Sequence, residues 1–120
     1  LLEGRKRWLL FPPGQVPLLY PSWAEGRNEA VFAVDPSKPD LDRFPAARLA
    51  TGWACTLEAG DLLFVPAGSP HQVENLTDTL AVSSNYVDAT NLPKALHALE
   101  EQAHTDQGAK DLLLALQGCE

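Results

Sequence analysis

Over its first three-quarters the chain changes character every few residues, in bursts too short for helices. Residues 6–11 (KRWLLF) are aromatic and aliphatic and read as a strand. Pro12-Pro13-Gly14 ends it, because proline donates nothing to a ladder. Residues 15–27 are broken by prolines and read as a loop whose Leu18, Leu19 and Tyr20 pack on the outside of the β structure. Residues 29–34 (EAVFAV) read as a short strand. Residues 35–45 hold Pro36, Pro39 and Pro45 among charges, a loop with one helical turn at 41–43, and 46–52 show no period. Residues 53–57 alternate as a strand does. Ala59-Gly60-Asp61 signals a turn. Residues 62–65 (LLFV) have the length of a buried strand. After the Pro66–Pro70 corner, 71–76 and 80–86 read as two further strands. Short strands between glycine and proline corners predict an all-β barrel or sandwich.

The period lengthens after Asp88. Asn91 is placed to cap a helix with Pro93 in its first turn. Leu92, Leu96, Leu99 and Ala103 then share one face. Asp106 is placed to cap a second helix carrying Ala109, Leu112, Leu113 and Leu116, and Gly118 stops it. The pattern therefore divides the chain into a β region, 1–88, and a helical hairpin, 89–120.

Composition narrows the picture. The 120 residues are 45% hydrophobic and 21% charged, with a formal net charge of −7. That is one domain of ordinary globular make-up. The acidic balance disfavours a duplex nucleic-acid partner. No apolar run has the length of a membrane-spanning helix. The two cysteines, Cys55 and Cys119, read as reduced thiols of an intracellular protein, cytoplasmic or nuclear. The chain opens on Leu1 at the edge of a strand, which reads as a piece of a longer protein.

The candidate chemistry gathers at two places. His71 follows a proline–glycine corner and faces a strand bearing Ser83 and Asn85 two positions apart, hence on one side. Lys6 lies between Arg5 and Arg7, and on a strand it points opposite to both. Spacing leaves open whether this basic run is solvated or whether one cation turns inward. Ser83 and Asn85 fit equally well as ligand-binding groups or as interior polar residues satisfied by backbone. Asn75 fits a turn as well as a site.

Three segments resemble the JmjC and cupin-like iron(II)/2-oxoglutarate oxygenases: Gly4-Arg5-Lys6-Arg7-Trp8; Asp35-Pro36 with Pro39-Asp40 and Arg43-Phe44-Pro45; and Gly60-Asp61 through Phe64-Val65-Pro66 to His71-Gln72-Val73-Glu74-Asn75-Leu76. The resemblance covers most of residues 4–88. It implies a mainly β fold, the C-terminal part of a double-stranded β-helix, followed by the helical hairpin. It implies Fe(II) and 2-oxoglutarate, with His71 as a metal ligand, Lys6 as the partner of the 2-oxoglutarate carboxylate, and Ser83 and Asn85 as hydrogen-bonding supports. The proline-rich insertion is similar to that of the protein-hydroxylase branch, which implies a protein or peptide substrate.

The family's His-x-Asp or His-x-Glu pair precedes its Gly-x-Lys strand, and here only Leu1, Leu2 and Glu3 stand there. His97 and His104 fall on the expected helices and read as exposed residues. The expectation is thus a fragment of an oxygenase holding one metal ligand of three. Its alternative is a non-catalytic cupin-type module. The apolar face of the hairpin is expected to pair with a second copy.

Overall fold

The structure, a computed structural model, describes residues 1–23 and 30–118. Chain contacts separate them into two compact units, 1–23 with 30–83, and 84–118.

The first unit is built on β1 (Lys6–Leu10), which lies between β4 (Trp53–Leu57) and β5 (His71–Asn75), antiparallel to both. A central strand must use its backbone groups on both edges, and β1 contains no proline. The ladder continues one bond past its end, where the Phe11 N–H donates to the Pro70 carbonyl at 2.9 Å. At its start, Gly4 adopts φ 79° beside the Thr77–Asp78 turn, and a Cβ there would collide with the Asp78 carbonyl. Only glycine lets the chain enter β1 along this path.

A second sheet pairs β2 (Pro21–Trp23) with β3 (Ala30–Phe32). Between the sheets' strands run two 3-10 helices, Pro13–Leu19 and Pro45–Leu49. They are tied together by Tyr20, whose hydroxyl accepts from the Ala46 N–H at 3.2 Å and whose ring lies 5.0 Å from that of Phe44. Leu10, Leu19, Val34 and Leu57 are the buried aliphatic residues of this unit.

The second unit is the hairpin of α1 (Leu92–Gln102) and α2 (Gln107–Gln117). Asp106 caps α2, accepting from the Ala109 N–H at 3.1 Å. Asn91 stands at the start of α1 but does not cap it. Its amide instead bonds the Asp88 N–H and the Tyr86 carbonyl.

The mainly β architecture followed by two helices agrees with the sequence reading, as do β1, β3, β4 and β5. The turn at 58–61 also forms, with Gly60 at φ 95° and the Asp61 carboxylate accepting from the Glu58 N–H. Besides the Asn91 cap, four local expectations need correction. Residues 62–65 form no strand and are not buried: Leu62 is 90% and Phe64 58% exposed. Residues 80–86 form no strand either; only Leu80 pairs, through a single bridge to Glu3. The expected loop after Pro12 contains a 3-10 helix and β2, because proline is compatible with the first turn of the one and the first residue of the other. His104 lies in the turn between the helices rather than on one. Cys55 is a free thiol, and Cys119 and residues 24–29 lie outside the described residues.

Candidate functional site

Register decides which side chains of the three-stranded sheet share a face. Lys6 is opposite Leu57 and Asn75, Trp8 opposite Cys55 and Val73, and Leu10 opposite Trp53 and His71. Residues directly across an antiparallel ladder point the same way. One face therefore presents Lys6, Trp8 and Leu10 along β1, flanked by Asn75, Val73 and His71. The other presents Arg7 and Leu9 with Thr56, Ala54, Glu74 and Gln72.

The three-cation run is sorted by this alternation. Arg5 pairs with Glu58 at 2.8 Å, and Arg7 reaches Glu74 at 4.0 Å on the opposite face from Lys6. These exposed pairs are worth at most about 1 kcal/mol each. Lys6 is half-buried and makes no ion pair or side-chain hydrogen bond among the described residues. A half-buried ammonium held apart from its basic neighbours is suited to an anion.

His71 opens β5 directly after buried Pro70. Its Nδ1 lies 3.0 Å from the Ser69 carbonyl. A carbonyl only accepts, so Nδ1 carries the proton, and in the neutral ring Nε2 keeps its lone pair. This is the arrangement in which metal-binding histidines are usually fixed. The Trp8 ring packs against the imidazole, centroids 5.5 Å apart and planes inclined by 31°. The ring is thus oriented from two sides while remaining accessible.

Trp8 itself was not singled out by sequence reasoning. Its Nε1 is buried with no hydrogen-bond partner among the described residues. The signal was present, since two residues after Lys6 on a strand means the same face.

A clasp is made on the sheet's other face, at Gln72. The Asp35 carboxylate accepts from the Ser37 N–H and hydroxyl and, across the chain, from the Gln72 amide at 3.0 Å. These bonds hold its carboxyl below the ordinary range, the Ser37 hydroxyl contributing most. The insertion is thereby fastened to the strand residue next to His71. A cavity of about 180 Å³ lies beside it, its lining including Phe11, Leu19, Phe32, Val34, His71 and Gln72.

The other expected residues are not gathered in the same way. Ser83 ends the first unit on an exposed segment outside the sheet, and Asn85 belongs to the second unit. His97 is on α1 beside Glu101 at 3.7 Å. Among the described residues, no three His, Cys, Asp or Glu side chains are grouped to hold a metal. Lys6 and His71 share one face of the sheet, and a complete metal-ligand set is not found among the described residues.

The sequence profile described as "Cupin-like domain" matches residues 1–91. The chain belongs to the cupin-like domain family. Within it, the chain is 45% identical over 85 residues to human "HSPB1-associated protein 1", covering 70% of this chain and 17% of that protein. It is 38% identical over 100 residues to human "2-oxoglutarate and iron-dependent oxygenase JMJD4", covering 82% and 23%. It is 32% identical over 110 residues to "Arginine-specific demethylase JMJ20" of Arabidopsis thaliana, covering 91% and 23%. The chain thus spans about a fifth of the length of these relatives. No described helix is long and apolar enough to cross a membrane.

Proposed function

We propose that this chain is part of an iron(II)- and 2-oxoglutarate-dependent oxygenase acting on a protein or peptide side chain. The observation that carries the reading is the shared sheet face of Lys6 and His71, in a chain of the cupin-like family. Iron(II) and 2-oxoglutarate, when bound, supply the oxidising chemistry, with oxygen reduced and 2-oxoglutarate converted to succinate and carbon dioxide. The chain's own residues bind and orient. His71 offers Nε2 to the metal, its ring held by the Ser69 carbonyl and Trp8. Lys6 pairs with a carboxylate of 2-oxoglutarate, since a buried acid needs a fixed cation. A complete set of metal ligands is not found among the described residues.

The relatives' names support this reading: one is called a 2-oxoglutarate and iron-dependent oxygenase, another an arginine-specific demethylase. The insertion at residues 35–45 favours side-chain hydroxylation. The α1–α2 hairpin, with Leu112 and Leu114 half or more exposed, is proposed to pair with a second copy. Sedimentation of the full-length protein showing only monomer would reject that pairing.

A second reading, a non-catalytic cupin-type module, is favoured by the lack of a metal-ligand trio among the described residues. One experiment separates the two. The full-length protein is incubated with Fe(II), 2-oxoglutarate and oxygen, beside His71→Ala, and succinate is measured. The oxygenase predicts succinate from the wild type and almost none from the variant. No succinate from the wild type supports the module.

A further inference from the structure

We propose that Ser37 is a phosphorylation site, and that a phosphoryl group on it unfastens the 35–45 insertion from β5. The proposal goes beyond the oxygenase reading and uses neither the metal nor 2-oxoglutarate. Its starting point is a single oxygen. Oδ1 of Asp35 accepts three bonds: from the Ser37 hydroxyl at 2.6 Å, the Ser37 N–H at 2.9 Å and the Gln72 amide at 3.0 Å. The first two fold the turn, and the third ties that turn to the strand residue after His71. Of these bonds, the one from the Ser37 hydroxyl does most to hold the carboxyl below the ordinary range. Asp88 and Thr90 form the same kind of turn, but among the described residues the Asp88 carboxylate holds nothing outside it. The hydroxyls of Ser22 and Ser84 donate to main-chain carbonyls. Ser37 is distinguished by what its partner carries.

Ser37 is also open to an enzyme. Residues 37–40 are exposed, and Asp40 and Asp42 follow the serine. Pro39 keeps the residue before it extended. An extended, exposed stretch with acidic residues after the hydroxyl fits the basic cleft of an acid-directed protein kinase. In the transfer, Oγ of Ser37 attacks the γ-phosphorus of ATP. A new O–P bond forms, and the bond to the bridging oxygen of ADP breaks. The hydroxyl proton passes to the kinase's carboxylate base, and no electrons change hands. The product has lost the O–H that Asp35 accepts, and it carries about two negative charges one bond beyond that oxygen. Lys38, next in the chain, brings one positive charge against these and that of Asp35. Like charges drive the carboxylate out of the turn, so its bond to Gln72 is given up. The consequence reaches the cavity beside His71, whose walls lie on both sides of the clasp: Val34 and Pro36 flank Asp35, and Pro70, His71 and Gln72 stand opposite.

The test uses the full-length protein and has two arms. In the first, wild type, a form with phosphoserine installed at position 37, and Gln72→Ala as the open-clasp reference are compared by hydrogen exchange and mass spectrometry over residues 35–45. We expect the phosphoserine form to exchange about fivefold faster than wild type and to match Gln72→Ala. If the phosphoserine form does not fold, Ser37→Glu takes its place in the same comparison. In the second arm, a purified acid-directed kinase with γ-labelled ATP should label the peptide that contains Ser37, and the same peptide of Ser37→Ala should stay unlabelled. No label on that peptide, or exchange in the phosphoserine form equal to that of wild type, overturns the proposal. So does a Gln72→Ala form that exchanges as wild type does, since the clasp then holds nothing. Each of these results leaves the oxygenase reading as it stood.

Discussion

Lys6 and His71 stand on one face of one sheet, joined through the β1–β5 ladder in which His71 is opposite Leu10. Their levels differ by four positions along β1, roughly 13 Å at the rise of an extended strand. Arg5 and Arg7, though adjacent to Lys6, are committed to Glu58 and Glu74.

This sorting predicts that the three cations are not equivalent. Arg5→Ala or Arg7→Ala should lower stability by at most about 1 kcal/mol and leave 2-oxoglutarate affinity within about twofold. Urea denaturation and calorimetry on the full-length variants check both. A large loss of affinity in either arginine variant would contradict the assignment to Lys6.

Gly4 should resist substitution. At φ 79°, with the Asp78 carbonyl in the place of a Cβ, Gly4→Ala meets both backbone strain and a collision. A loss of about 1–3 kcal/mol is expected, read as a lower unfolding midpoint. Gly14→Ala has open space around the new methyl group and should cost under about 1 kcal/mol.

Asp35 carries a pH dependence of definite sign. Its hydrogen bonds from Ser37 and Gln72 lower the folded-state pKa below 3.8. The unfolded chain therefore binds the proton first, and the stabilisation is complete above 3.8 and lost as pH falls through the lower folded value. The unfolding midpoint of wild type minus that of Asp35→Asn should stay level from neutral pH down to about 5 and shrink below 3.8. A difference unchanged into strong acid would show that the carboxylate is not what holds the insertion.

Asp106→Ala should loosen the hairpin. Removing the cap of α2 leaves the Ala109 N–H unbonded, at a cost of about 1 kcal/mol. Thermal melting followed by circular dichroism checks this, and Asn91→Ala provides the contrast, since Asn91 caps no helix N–H.

Much of this arrangement was legible in the residues, and the failures have physical causes. The strands around Trp8, Cys55 and His71 carry their own alternation, and each found a ladder partner. The run at 62–65 has the same apolar density, yet density reports what a segment would bury, not what lies beside it. Leu62 and Phe64 lie outside the two sheets and are largely exposed. Period two separates Lys6 from its arginines. The clasp between Asp35 and Gln72 joins residues 37 positions apart and leaves no local trace.

The central claim is that Lys6 and His71 grip one diacid and its metal from a common face. Mn(II) and 2-oxoglutarate affinities of the full-length wild type, Lys6→Ala and His71→Ala test it directly. The account predicts that Lys6→Ala retains Mn(II) and loses at least about tenfold in 2-oxoglutarate affinity, while His71→Ala loses Mn(II). Undiminished 2-oxoglutarate binding in Lys6→Ala, or undiminished Mn(II) binding in His71→Ala, would contradict it.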